Sequence, residues 1–266
     1  MTLTFRAPIR GGRIGAIPSK SAAHRLLICA AFADAPTEIL CPTISEDITA
    51  TARCLCALGA DIRRTDAGFT VIPATGKTTD AVLDCGESGS TLRFLLPVTA
   101  ALGIPARFIR RGRLPHRPLS PLYEEMIRHG AVLPADPETE PLPLIGQIKA
   151  GRYAIDGGVS SQFVSGLLMA MPLMGALSEV SLTGVVESAD YIHITTDAMS
   201  EFGICINISS DGRTYTVHPG GYTSPRRISV EGDWSNAALW LAAGAVGTAP
   251  VTVTGLDMNS PQGDWR

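Results

Sequence analysis

The chain has 266 residues, of which 45% are hydrophobic and 18% charged; that is ample material for a core and excludes a disordered chain. Against 25 Asp and Glu, 22 Lys and Arg leave a formal charge of −3, and without a basic excess a general nucleic-acid binder is not expected. The longest apolar stretch, Phe163 to Leu177, contains a proline and falls short of a membrane span, and the first ten residues lack the apolar run of a signal peptide.

In chain order, the first helix is predicted where the run S-K-S-A-A-H-R-L-L-I-C-A-A-F opens at Ser19. An amphipathic helix closing on glycine follows in A-T-A-R-C-L-C-A-L-G, and then the hairpin I-R-R-T-D-A-G-F-T-V-I with an A-G turn. The cycle restarts with G-S-T-L-R-F-L-L-P-V-T-A-A-L at Gly89, the loop R-R-G-R-L-P-H-R-P-L and the helix L-Y-E-E-M-I-R-H-G. It restarts again with S-S-Q-F-V-S-G-L-L-M-A-M at Ser160, T-T-D-A-M-S-E-F-G and the hairpin I-N-I-S-S-D-G-R-T-Y-T-V. A last apolar helix, D-W-S-N-A-A-L-W-L-A-A-G-A-V, leads into the strand P-V-T-V-T-G-L.

These segments form an internal repeat. Ser21, Ser90, Ser161 and Ser235 mark the apolar helices at spacings of 69, 71 and 74 residues. Gly59, Gly130 and Gly203 end the amphipathic helices at spacings of 71 and 73, and glycine there reads as a helix stop. The unit is thus about 70 residues long, with two helices and several strands. Three units are complete; the fourth begins near Val230, and its second helix would start near Asp264, so a truncated chain is expected.

Of the six cysteines, Cys29, Cys41, Cys54, Cys56, Cys85 and Cys205, none forms a C-x-x-C pair, so zinc is not expected, and those inside apolar runs read as reduced core residues. The expected class is a soluble cytoplasmic α/β protein.

The apolar helices open with Ser, Gly and Thr. A helix start offers free N–H groups and partial positive charge, which suits anions, and small residues let a ligand reach the backbone. Plain capping by Ser and Thr is the competing explanation. Basic residues favour the anion: Lys20 stands at the expected cap with Arg25 one turn in, Arg93 follows Gly89-Ser90-Thr91, and the loop holds Arg110, Arg111, Arg113 and Arg117. Ser160-Ser161-Gln162 adds two hydroxyls and an amide, which suit phosphate and sugar-like hydroxyls. Neither G-x-x-x-x-G-K-[ST] nor G-x-G-x-x-G occurs.

The motifs P-S-K-S-A-A-H-R at 18–25, G-E-S-G-S-T-L-R at 86–93, R-P-L at 117–119, G-V-S-S-Q-F at 158–163, Y-I-H-I-T at 191–195, V-E-G-D at 230–233 and Q-G-D at 262–264 resemble the 3-phosphoshikimate 1-carboxyvinyltransferase (5-enolpyruvylshikimate-3-phosphate synthase) family, in family order along the chain. The resemblance implies an α/β fold of βαβαββ-type units building an inside-out lobe, the enolpyruvyl transferase fold. It implies an amino-terminal strand in residues 1–13 belonging to a second lobe, a first lobe of three units in 14–227, and the start of an incomplete second lobe in 228–266. By resemblance, Lys20, Ser21, Arg25, Ser160, Ser161, Gln162, Ser188 and Tyr191 hold shikimate 3-phosphate. Lys20, Gly89, Arg117 and Gln162 hold phosphoenolpyruvate. Asp47 and Asp233 match acidic positions assigned to structure.

The sequence departs from the family in two places: Glu87 stands where Asn is common, and A-D-Y stands where K-P-Y is common before Tyr191.

The implied reaction adds the 5-hydroxyl of shikimate 3-phosphate to C2 of phosphoenolpyruvate and then expels phosphate. Positioning and electrostatics carry such chemistry, together with a general acid and base. Lys20 is the expected catalytic proton-transfer residue, as a buried lysine among cations parts with its proton more readily. No metal or organic cofactor, nucleic acid or membrane is implied, and a monomer is expected. Two alternatives remain. One is a fragment that binds substrate without turnover. The other is the sister transferase acting on UDP-N-acetylglucosamine, which usually has Asn after its early Lys and a Cys in the loop before R-P, where this chain has Ser21 and no Cys.

Overall fold

The computed structural model describes residues 10–76 and 78–265. Of the strand expected over residues 1–13, residues 1–9 lie outside the described residues. The described chain opens with β1 (Gly12–Gly15) and then runs α1 (Lys20–Ala31), β2 (Thr37–Leu40), α2 (Glu46–Ala57), β3 (Asp61–Thr65) and β4 (Gly68–Ile72). A second set follows: β5 (Ala81–Gly86), α3 (Gly89–Leu102), β6 (Ala106–Arg110), α4 (Leu122–Arg128), β7 (Ala131–Val132) and β8 (Leu142–Gly146). A third contains β9 (Arg152–Asp156), α5 (Ser161–Ala170), β10 (Ser178–Thr183), α6 (Ala189–Glu201), β11 (Ile206–Ile208) and β12 (Thr214–Val217). The chain closes with β13 (Arg227–Ser229), α7 (Trp234–Val246) and β14 (Val251–Thr254).

Local chemistry sets the helix bounds. Serine side chains accept from backbone N–H groups at the starts of α1, α2, α3 and α5, at Ser19, Ser45, Ser88 and Ser160. The cap of α1 is therefore Ser19, and Lys20, expected at the cap, is the first helical residue. The stops of α2, α4 and α6 lie where the repeat put them: Gly59, Gly130 and Gly203 follow the last turn at φ of 105°, 113° and 76°, a region that glycine enters without steric cost.

Three four-stranded sheets share one topology, βαβαββ with a parallel leading pair. β5 runs parallel to β6, which pairs antiparallel with β8, and β8 with β7. β9, β10, β12 and β11 repeat this order. In the first sheet the leading position is filled from far along the chain: β13 runs parallel to β2, ahead of β4 and β3. The same displacement recurs once, since β1 runs parallel to β14, with α7 preceding β14. The strands alternate buried and exposed residues, as sheets wet on one face do.

The helices lie inside. Apart from their first turns, α1, α3 and α5 are buried almost throughout, and α3 and α5 approach so closely that a Cβ at Gly166 would strike the Arg93 carbonyl oxygen. This is the inside-out lobe of repeated units. α7 differs: Leu239, Trp240, Leu241 and Val246 are exposed, and only Trp234 and Ala237 are buried. Cys29, Cys41, Cys54 and Cys85 are reduced core residues, and Cys56 and Cys205 are reduced and exposed.

Candidate functional site at the helix starts

The starts of α3 and α5 are bonded to one another. Gln162 Nε2 donates to Ser90 Oγ at 2.9 Å, and Arg93 Nη1 donates to Gln162 Oε1 at 2.8 Å. Arg93 also donates from Nη2 to the Pro118 carbonyl at 3.0 Å and lies over the Phe163 ring at 5.1 Å. Its Nε is buried without a partner, and burial, followed by the nearby Arg117 charge, pushes its pKa down. Arg117 lies against Gly89, where an added Cβ would stand 3.0 Å from Nη1. Two guanidiniums thus share one helix start, and no ion pair joins either to a described carboxylate, an arrangement that suits an anion. Arg93 has no substrate role in the sequence pattern, because its bridge to Gln162 spans 69 residues and leaves no local signal.

The loop arginines divide. Arg110 is buried, ion-paired to Glu140 at 2.9 Å and bonded to the Pro137 and Thr139 carbonyls. Arg111 pairs with Asp84 at 2.9 Å. Both are taken up by structure, contrary to the reading that grouped all four as anion ligands; Arg117 is the one that reaches Gly89.

At α1, Lys20 Nζ pairs with Asp47 at 2.8 Å, and the Lys20 amide donates to Asp233 at 3.4 Å. The lysine is exposed, so the burial expected of it is not found; a carboxylate, not a crowd of cations, is its neighbour. Asp233 caps α7 by accepting from the Asn236 amide at 2.8 Å. Lys20, Asp233, Ser235 and Asn236 line a cleft of about 400 Å³ with Ile17, Ser45 and Leu239.

Arg25 is buried. It donates to Thr195 Oγ1 (2.6 Å), the Ser21 carbonyl (2.6 Å), Ser165 Oγ (3.1 Å) and the Tyr191 carbonyl (3.0 Å), and burial pushes it down to about 9. It fastens α1, α5 and α6 together beneath Ser21 and Tyr191. Those two line a narrow second cleft with Ser19, Asp190, Ser235 and Gln262, where Ser235 Oγ donates to Asp264 at 2.6 Å. Ser188 begins α6 in the left-handed region, at φ 56°, with no capping bond from its side chain. Ser160 is the cap of α5, whereas Ser161 makes no side-chain hydrogen bond with described residues.

The candidates therefore fall into two joined groups. Gly89, Arg117 and Gln162 meet at the α3 and α5 starts, Ser21, Arg25 and Tyr191 meet at the α1 and α6 starts, and Lys20 turns from the α1 start into the neighbouring cleft beside Asp47. The α3 start lies against the α2 start, where Thr91 Oγ1 is 3.4 Å from the Asp47 carbonyl oxygen, and Asp47 in turn holds Lys20 of α1. Among the described residues, no three His, Cys, Asp or Glu side chains gather as a metal site would need.

The chain matches the EPSP synthase (3-phosphoshikimate 1-carboxyvinyltransferase) family over residues 7–266. It is 37% identical over 257 residues to the 3-phosphoshikimate 1-carboxyvinyltransferase of Clostridium kluyveri, covering 95% of this chain and 59% of that protein. The Clostridium botulinum (strain Eklund 17B) protein of the same name is 38% identical over 259 residues, again covering 95% and 59%. The chain thus spans about three-fifths of the length of these relatives. Among solved structures, EPSP synthase from Acinetobacter baumannii superposes with a TM-score of 0.78 at 20% identity, covering 94% of this chain and 56% of that one. The enolpyruvyl transferase NikO from Streptomyces tendae superposes at 0.65 and 19% identity, covering 92% and 57%. On sequence and fold together, the chain belongs to the EPSP synthase family.

Proposed function

We propose that this chain binds shikimate 3-phosphate at its helix starts and serves the transfer of the enolpyruvyl group from phosphoenolpyruvate to the 5-hydroxyl of that substrate. Ser160, Ser161, Gln162, Lys20, Ser21, Arg25, Ser188 and Tyr191 are its shikimate 3-phosphate side. Lys20, Gly89, Arg117 and Gln162 are its phosphoenolpyruvate side, with Arg93 holding Gln162. The observation that carries this reading is the pair of guanidiniums without carboxylates at the Gly89 start, next to the amide of Gln162.

Arg25 acts from below, fixing Ser21 and Tyr191 through their carbonyls. Fixed N–H groups and guanidiniums stabilise the charge on both substrates and on the tetrahedral adduct that loses phosphate. Lys20, held by Asp47, is the proton-transfer residue. We further propose a cytoplasmic monomer; no helix among the described residues is long and apolar enough to cross a membrane.

A second reading, binding without turnover, draws support from α7: no described residue covers Leu239 or Val246, and the residues facing its side of the cleft include one lysine and no other cation.

Calorimetric titration of shikimate 3-phosphate tests the proposal. Saturable binding is expected, weakened by Ser161→Ala, which removes no internal hydrogen bond; absence of binding would sink it. Phosphate release from phosphoenolpyruvate in the same mixture separates the two readings.

A further inference from the structure

Helices α1 and α2 are joined to the start of α3, behind the site, by a chain of buried hydrogen bonds that the proposed chemistry does not use. His24 Nδ1 meets Thr51 Oγ1 at 2.7 Å, Thr51 Oγ1 meets Thr91 Oγ1 at 2.6 Å, and Thr91 Oγ1 donates to Ser88 Oγ at 2.7 Å. All four side chains are at most 1% exposed. The far end of the chain is the cap of α3, since Ser88 Oγ also accepts from the Thr91 amide at 3.2 Å, and the next residue is Gly89. The carbonyl oxygen of Asp47, whose carboxylate holds Lys20, lies 3.4 Å from Thr91 Oγ1, whose proton goes to Ser88.

We infer that His24 is a positioning residue: through Thr51 and Thr91 it fixes the start of α3, and so the seat of Gly89 against Arg117, relative to Lys20. The inference rests on the proposed phosphoenolpyruvate side of the site.

His24 Nε2 has no partner. A buried N–H without an acceptor costs more than a bare acceptor, so the proton belongs on Nδ1. The hydroxyls then donate in one direction, from His24 through Thr51 and Thr91 to the α3 cap. An apolar side chain at position 24 would leave Thr51 short of a donor, whereas asparagine places an amide N–H close to where Nδ1 stands.

The test compares His24→Leu, Thr51→Val and His24→Asn with the unmodified chain. Two readouts are used: amide hydrogen exchange, and titration of phosphoenolpyruvate in saturating shikimate 3-phosphate. His24→Leu and Thr51→Val are expected to speed exchange at Gly89 to Leu92 while leaving the α5 start unchanged. They are also expected to weaken phosphoenolpyruvate by about tenfold and shikimate 3-phosphate by less than about twofold. His24→Asn should restore both readouts. An equal loss for both compounds, or failure of asparagine to rescue, would overturn the inference, because either would mean that the histidine only fills space. If the unmodified chain binds neither compound, the functional reading falls, and exchange alone decides the relay: unchanged exchange at the α3 start in Thr51→Val contradicts it.

Discussion

Helices α1, α3, α5 and α7 come from the same place in the repeat, yet they end in different surroundings. The first three are packed together and covered by sheets, and their starts carry the candidate site. α7 is the most apolar in sequence, W-S-N-A-A-L-W-L-A-A-G-A-V, and has Leu239 70% and Val246 84% exposed. Burial of such a helix is thus a property of its neighbours. The first helix of a unit is stable inside a set of three, and one alone leaves its apolar stripe in water, where each buried side chain would otherwise contribute about 1.5–3 kcal/mol.

The contrast can be broken most severely at Arg25. Arg25→Leu removes four hydrogen bonds that tie α1 to α5 and α6, to Thr195, Ser165 and two carbonyls, and should cost about 3–5 kcal/mol in chemical denaturation. Gly166→Ala forces α3 and α5 apart and should cost about 1–3 kcal/mol, whereas Gly244→Ala on α7, whose Cβ would sit 3.0 Å from Val251, should cost less because that helix is free to shift.

Acid offers a gentler probe. Burial, with help from Arg25, pushes His24 down to about 3, against 6.5 in an unfolded chain. Above pH 6.5 the imidazole is neutral in both states and contributes no pH dependence. Below it, the unfolded chain gains a proton that the folded one refuses, and stability falls by up to about 1.4 kcal/mol per pH unit until about pH 3. His24→Asn should remove that slope, read as the difference in denaturation free energy between pH 7 and pH 5. The smallest effect belongs to α7: Leu239→Glu should change stability by less than about 0.5 kcal/mol, and a large loss would show that the face is covered.

Much of this was legible in the sequence, and the failures share a cause. The repeat period, the glycine stops and the apolar first helices are local patterns, and they appear where the spacing put them. Pairings across the chain are not local. Nothing near Arg227 announces that β13 completes the first sheet beside β2, or that β1 lies against β14. Arg110 and Arg111 read as anion ligands until Glu140 and Asp84 arrive from elsewhere to neutralise them. Lys20 read as buried because its motif carries no sign of its exposure. The same blindness left Arg93 unassigned, although its bond to Gln162 is what ties two helix starts into one surface.

The central question is whether shikimate 3-phosphate sits at the starts of α1, α5 and α6, and not on α7. Amide-resolved NMR titration with shikimate 3-phosphate reads this directly. Shifts concentrated at Ser21, Ser161, Gln162 and Tyr191, with Trp240 to Val246 silent, are the expected result. Shifts gathered on α7, or none at the three starts, would contradict it.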